Sequence, residues 1–122
     1  MNHDKDFIQL CEQARETINE IGVNKVQARL LQPDCLFIDV REDHERQQEY
    51  IAGSIHMGKG IIERDIHTLS IDKQRDIILY CGGGYRSALA AKNLQTMGYS
   101  RVYSMVGGLR AWRLANKPIE VN

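Results

Sequence analysis

The sequence predicts an α/β fold: an open parallel β-sheet with helices on both faces, preceded by an extra N-terminal helix. Three observations carry this reading. Residues 35–40 (CLFIDV) and 77–81 (IILYC) are short apolar runs rich in strand-favouring side chains, the pattern of strands buried on both faces. A weaker run of the same kind occupies 102–106 (VYSMV). Helical stretches separate the runs, so the order is β, α, β, α, and parallel strands joined by crossover helices follow.

The remaining elements are predicted in turn. Asp6 followed by Gln9 reads as a capping pair, and Phe7, Cys11, Ala14, Ile18 and Ile21 recur at steps of four and three before Gly22. That spacing predicts one amphipathic helix over 6–21, set to dock on the domain rather than pair with a second copy, since two heptads are too short for an isolated coiled coil. Asn24 with Gln27 repeats the capping pattern for a short helix through Leu31, stopped by Pro33. Residues 64–76 are polar apart from Ile66, Leu69 and Ile71 and read as surface loop with a turn of helix. Ala90, Leu94 and Met97 share one face of a helix over 86–97, with Gly98 at the C′ position. Leu109 and Trp112 anchor a last helix after Gly107 and Gly108.

Composition bounds the function. A chain of 122 residues, 43% hydrophobic and 26% charged, has the make-up of one compact domain and leaves no room for a two-domain enzyme. No run approaches the roughly 18 apolar residues that span a bilayer, and the start MNHDKDFIQL has neither a basic nor an apolar signal region, so a cytoplasmic protein with no membrane partner is expected. Cys11, Cys35 and Cys81 cannot all pair and none lies in a Cys-x-x-Cys, which fits a reducing compartment and leaves a thiol free. His3, His44, His56 and His67 are scattered, so neither a metal nor another cofactor is expected. Residues 1–80 carry ten basic and fifteen acidic side chains, whereas 81–122 carry six basic and only Glu120 acidic. The C-terminal third therefore reads as a positive face suited to a small anion, with too few cations and no interleaved aromatics for nucleic acid.

The stretch that carries chemistry is 77–88, IILYCGGGYRSA. It puts a cysteine at the carboxyl end of a buried strand, where ligands bind in an open parallel sheet, followed by three glycines and a helix start. Gly82, Gly83 and Gly84 can take positive φ and turn their amides inward, and the helix adds its positive end, a cradle that stabilises a thiolate at Cys81 with Arg86 nearby. Tyr85, inside the loop, reads as a wall of the entrance. A nucleotide site is the competing reading of the glycines, since Gly82, Gly84 and Ser87 approach a G-x-G-x-x-G/A spacing. It fails because no acidic residue closes the next strand and no Lys follows the glycines.

Four motifs in order carry a resemblance: Asp39-Val40-Arg41, then Ile51-Ala52-Gly53-Ser54-Ile55, then Cys81-x-x-Gly84-x-Arg86-Ser87, then Gly107-Gly108-Leu109-x-x-Trp112. Over residues 23–121 or so the chain resembles the single-domain rhodaneses, the sulfurtransferases. The resemblance implies a rhodanese-like domain over 23–122 behind an N-terminal extension, 1–22. It implies that Cys81 takes up a sulfane sulfur as a persulfide, that Gly82, Gly83, Gly84, Tyr85, Arg86 and Ser87 form the substrate-binding loop, and that Asp39 and Arg41 brace the site. Arg86 would pair with an anionic sulfur donor or with a carboxylate partner of the loop. The implied acceptor is a thiol, cyanide or a thioredoxin-like protein, and the implied state a monomer or weak homodimer. A persulfide carrier or redox-sensing module using the same cysteine is the alternative. The related cysteine phosphatases are disfavoured, because the loop from Cys81 to Arg86 has six residues and theirs has one more.

Three departures from the family pattern stand out. Glu49 and Tyr50 replace a Gly-His pair, and Ser54 replaces an Ala, from which only a packing change is expected. The loop also lacks the extra cations of strong thiosulfate users. Elsewhere, His56 reads as a turn residue, and Cys11 and Cys35 read as small buried hydrophobes before resolving thiols. The acidic cluster Glu42, Asp43, Glu45 and Glu49 suits a helix start and calls for no function.

Overall fold

Five parallel strands form the central sheet of this computed structural model, which describes residues 3–122. The chain runs through α1 (Lys5–Arg15), β1 (Asn19–Ile21), α2 (Val23–Arg29), β2 (Leu36–Asp39), α3 (Asp43–Gln48), β3 (Glu49–Tyr50) and β4 (Ile55–His56). It continues through α4 (Ile62–Asp65), a 3₁₀ turn (Ile66–Leu69), β5 (Ile77–Tyr80), α5 (Tyr85–Thr96), β6 (Val102–Met105), α6 (Gly108–Leu114) and β7 (Glu120–Val121). The strand order is β1-β6-β5-β2-β4, and β3 with β7 makes a separate antiparallel ribbon.

Strand β5 lies at the centre because every one of its residues is buried and both faces are apolar. Ile77 and Leu79, with Cys81 just beyond, pack with Ala88, Ala91 and Leu94 of α5 and with Ile62 and Ile66. Ile78 and Tyr80 point to the other face, among Val26 of α2 and Leu109 and Trp112 of α6. The alternation that periodicity anticipates thus places helices on both faces. Pairing of β5 with β2 on one side and β6 on the other brings their carboxyl ends to one edge, where Cys81 emerges.

The structure corrects several expectations. Helix α1 is capped by Asp4, not Asp6: Asp4 Oδ2 accepts from the amides of Asp6 and Phe7 at 3.0 and 3.3 Å. Asp6 lies in the first turn, where its charge suits the helix dipole. The helix also stops at Arg15, and the apolar stripe beyond it is strand: residues 19–21 pair with Tyr103, Ser104 and Met105 at the open edge of β6. Pairing there covers the otherwise open edge of β6, and β-branched Thr17 and Ile18 favour helix less than the residues before them. Asn24 lies inside α2, whose N-cap is Gly22 with no side-chain cap. Met97 is exposed, since the helix ends before it and Gly98, at φ +101°, turns the chain away. His56 belongs to β4 rather than to a turn.

Candidate active site

Cys81 sits at the carboxyl end of β5 with its Sγ turned into the loop that precedes α5. Two amides donate to that sulfur, Gly84 N–H at 3.0 Å and Ser87 N–H at 3.4 Å. The Ser87 hydroxyl lies 3.5 Å away and is held in turn by Ser104 Oγ at 2.8 Å. Of the three loop glycines only Gly84 has a positive φ, +97°. This corrects the expected run of three. Gly82 is restricted by space more than by φ, since a Cβ there would lie 3.1 Å from Arg86 Nη2, whereas a Cβ on Gly83 would make only ordinary contacts with the Tyr85 ring.

The loop is held from outside by α6. Leu109 N–H donates to the Cys81 carbonyl at 2.7 Å and Arg110 N–H to that of Gly82 at 3.0 Å. With its carbonyls bonded outward, the loop keeps amides free to face the sulfur. Gly108 makes the approach possible. At φ +58° a side chain there would run into the Cys81 carbonyl and come within 2.8 Å of the Gly82 carbonyl carbon.

Arg86 is bound by Glu45 rather than held free for an anion: Nη1 and Nη2 donate to the two carboxylate oxygens at 2.6 and 3.1 Å. Glu45 also accepts from the Glu42 amide, closing the capping box of α3. The Arg86 hydrogen bond outweighs partial burial and holds the Glu45 carboxyl well down, from near 4.5 to about 2. Glu45 is the residue that reading the sequence missed. The acidic cluster was fully explained by the helix start, and nothing local pairs one of its members with a residue 41 positions later.

Asp39 and Arg41 lie at the neighbouring strand end, buried, and form a network behind the loop. Arg41 donates to Asp39 through Nε at 3.0 Å and Nη2 at 2.8 Å, and Nη2 also reaches the Glu49 carbonyl at 2.7 Å. Burial opposes the Arg41 charge, but these bonds win and raise its pKa. Tyr80 OH donates to Asp39 at 3.0 Å, accepts from the Ile51 amide at 3.1 Å and meets Ser54 Oγ at 3.0 Å. Burial and the adjacent Asp39 push the Tyr80 phenol up. Ser54 accepts from Arg46 Nη1 at 2.7 Å, so this departure from the family pattern adds a polar link. Glu49 and Tyr50 build β3, whose partner β7 lies at the far end of the chain.

Half of the positive face expected of the C-terminal third is neutralised by ion pairs. Arg86 pairs with Glu45, Arg101 with Asp76, and Arg113 with Glu49. Arg110, at the mouth of the site, has no ion pair among the described residues. Cys11 is fully buried, and burial followed by the proximity of Cys81 pushes its thiol up. Burial does the same to Cys35, so neither resembles a reactive thiol. His56 bonds the Arg41 carbonyl through Nε2 at 2.8 Å, a structural role. Among the described residues no three His, Cys, Asp or Glu side chains converge as metal ligands, and no helix is long and apolar enough to cross a membrane.

The model of the rhodanese-like domain matches residues 22–115. The chain belongs to this family. The rhodanese-like domain is 34% identical over 103 residues to a sulfurtransferase of Allochromatium vinosum, covering 84% of this chain and 94% of the relative. It is 27% identical over 89 residues to the thiosulfate sulfurtransferase GlpE of Coxiella burnetii, covering 73% and 81%. A solved structure from Rhodopseudomonas palustris, described as of unknown function and a possible tyrosine phosphatase, superposes with a TM-score of 0.83 at 30% identity over 98% of both chains.

Proposed function

We propose that this rhodanese-like domain is a sulfurtransferase that carries a sulfane sulfur on Cys81. The observation that carries the reading is a buried cysteine sulfur facing inward-pointing amides of Gly84 and Ser87, in a chain whose relatives are named sulfurtransferases. In the first step the Cys81 thiolate attacks the outer sulfur of a donor such as thiosulfate. A new S–S bond forms, the donor's S–S bond breaks, and sulfite leaves with the electron pair. In the second, a thiolate or cyanide attacks the outer sulfur of the persulfide and Cys81 is released as thiolate. Each resting form is an anion, so the same amides serve both. Asp39, Arg41 and Tyr80 act as positioning residues beneath the loop.

A phosphatase is the weaker reading, despite the description attached to the Rhodopseudomonas structure. The six-residue loop from Cys81 to Arg86 is short for a phosphoryl group, and both Arg86 nitrogens that would clasp one are bonded to Glu45. Intact-protein mass after incubation with thiosulfate, and separately with glutathione persulfide, tests the proposal. One added sulfur, removed by cyanide with release of thiocyanate and absent in Cys81→Ser, is the expected result. Loading that cyanide cannot discharge would replace turnover by carriage, and no loading from either donor would sink the proposal.

A further inference from the structure

The first turn of α1 stands over the loop. His3 meets Tyr85 edge-on with ring centroids 4.8 Å apart, Phe7 lies 5.3 Å from His3, and Phe7 and Tyr85 are 6.1 Å apart. These separations fall in the range where aromatic rings attract one another. The three rings line one cavity of about 540 Å³, and Cys81 lies in its wall. His3 and Phe7 precede the residues matched by the family model, which begin at 22. Their place is nevertheless fixed: Asp4 caps the turn and α1 packs along α5.

The charges around this cavity point the same way as its rings. Asp4, Glu42 and Glu45 line it with His3 and His44, the one guanidinium in its lining, Arg86, is bonded to Glu45, and Arg110 stands at the adjoining mouth, so carboxylates outnumber guanidiniums three to two. A doubly charged inorganic donor meets excess negative charge there. A singly charged donor with an apolar carbon group meets less repulsion and gains ring contact.

We infer that His3 and Phe7, together with Tyr85, form a specificity wall that favours sulfur donors bearing an apolar carbon group over the bare thiosulfate dianion. The inference rests on Cys81 being the sulfur-accepting group. Benzenethiosulfonate is the matched probe: Cys81 attacks its terminal sulfur as it does that of thiosulfate, the S–S bond breaks, and benzenesulfinate leaves with the electron pair in place of sulfite. The readout is the ratio of second-order loading rate constants, aryl over inorganic donor, followed by mass.

Wild type is expected to favour the aryl donor, and Phe7→Leu and His3→Ala are each expected to lower the ratio about five- to tenfold. Phe7→Leu keeps an apolar side chain against the helix, so circular-dichroism melts separate loss of the ring from undocking of α1. Ratios within twofold of wild type in both variants would overturn the wall while leaving the sulfurtransferase intact. If neither donor loads wild type, the parent reading fails, and titrating Cys81→Ser with benzenethiosulfonate decides the wall alone. Ring-proton shifts at both Phe7 and Tyr85 support it, and their absence at millimolar probe refutes it.

Discussion

Replacing Glu45 by glutamine removes one charge from beside the loop that follows Cys81 and keeps the shape and capping role of the side chain. The drop of its carboxyl from near 4.5 to about 2 corresponds to roughly 3 kcal/mol without solvent screening. The two partners are 26% and 29% exposed, and screening brings the expected loss in Glu45→Gln to about 1–2 kcal/mol at pH 7. In a domain of this size that lowers the thermal midpoint by roughly 4–8 °C. Because the folded-state value lies below the unfolded one, the stabilisation is complete above pH 4.5 and fades as pH falls toward 2. About three-quarters of it survives at pH 4 and under half at pH 3. Urea titrations of wild type and variant at pH 7, 5, 4 and 3 read this directly, as a gap that narrows with acid. A gap that stays constant across that range would refute the assignment of the shift to the Glu45–Arg86 pair.

Other perturbations test other parts of the site. Gly108→Ala forces a side chain into the Cys81 carbonyl at a positive φ, and a loss of about 3 kcal/mol or more with abolished sulfur loading is expected; retention of both activity and midpoint would contradict the close approach of α6. Tyr80→Phe strands the Ile51 amide and one acceptor position of Asp39. It should cost about 1–3 kcal/mol in denaturant titration, and a neutral result would mean the network is not closed as described. Ser87→Ala removes the hydroxyl beside Sγ while its amide remains. Loading should slow about fivefold, the equivalent of one hydrogen bond of about 1 kcal/mol, and an unchanged rate would confine the cradle to the backbone.

How much of this was legible in the sequence follows from the range of the interactions. Strands β2 and β5 were readable because a strand buried on both faces leaves an uninterrupted apolar run, as 35–40 and 77–81 show. The loop was readable because the chemistry of Cys81 and the conformational freedom of the glycines lie within six residues. Strand β1 was not, since Ile18 and Ile21 fit a helical period as well as they fit three residues at a sheet edge. The capping residue of α1 was missed because Asp4 and Asp6 are equally good caps by type, and only the path of the chain chooses. Glu45 and Gly108 were both named from the sequence, but their contacts with the loop were not foreseen, for a different reason. Their partners, Arg86 and the Cys81 carbonyl, lie 41 and 27 residues away, and no local pattern encodes a meeting at that separation.

The two hydrogen bonds from Leu109 and Arg110 to the loop carbonyls impose an order of events on synthesis. A ribosome releases Cys81 before it releases the Leu109 and Arg110 amides that hold the loop from outside. Until residues 107–110 have left the exit tunnel, the segment after Cys81 has no outward anchor for its carbonyls, and Gly84 has no Gly107 to press against. The geometry around the Cys81 sulfur is therefore completed only when the last helix docks, and the segment from Cys81 to Ser87 waits for it.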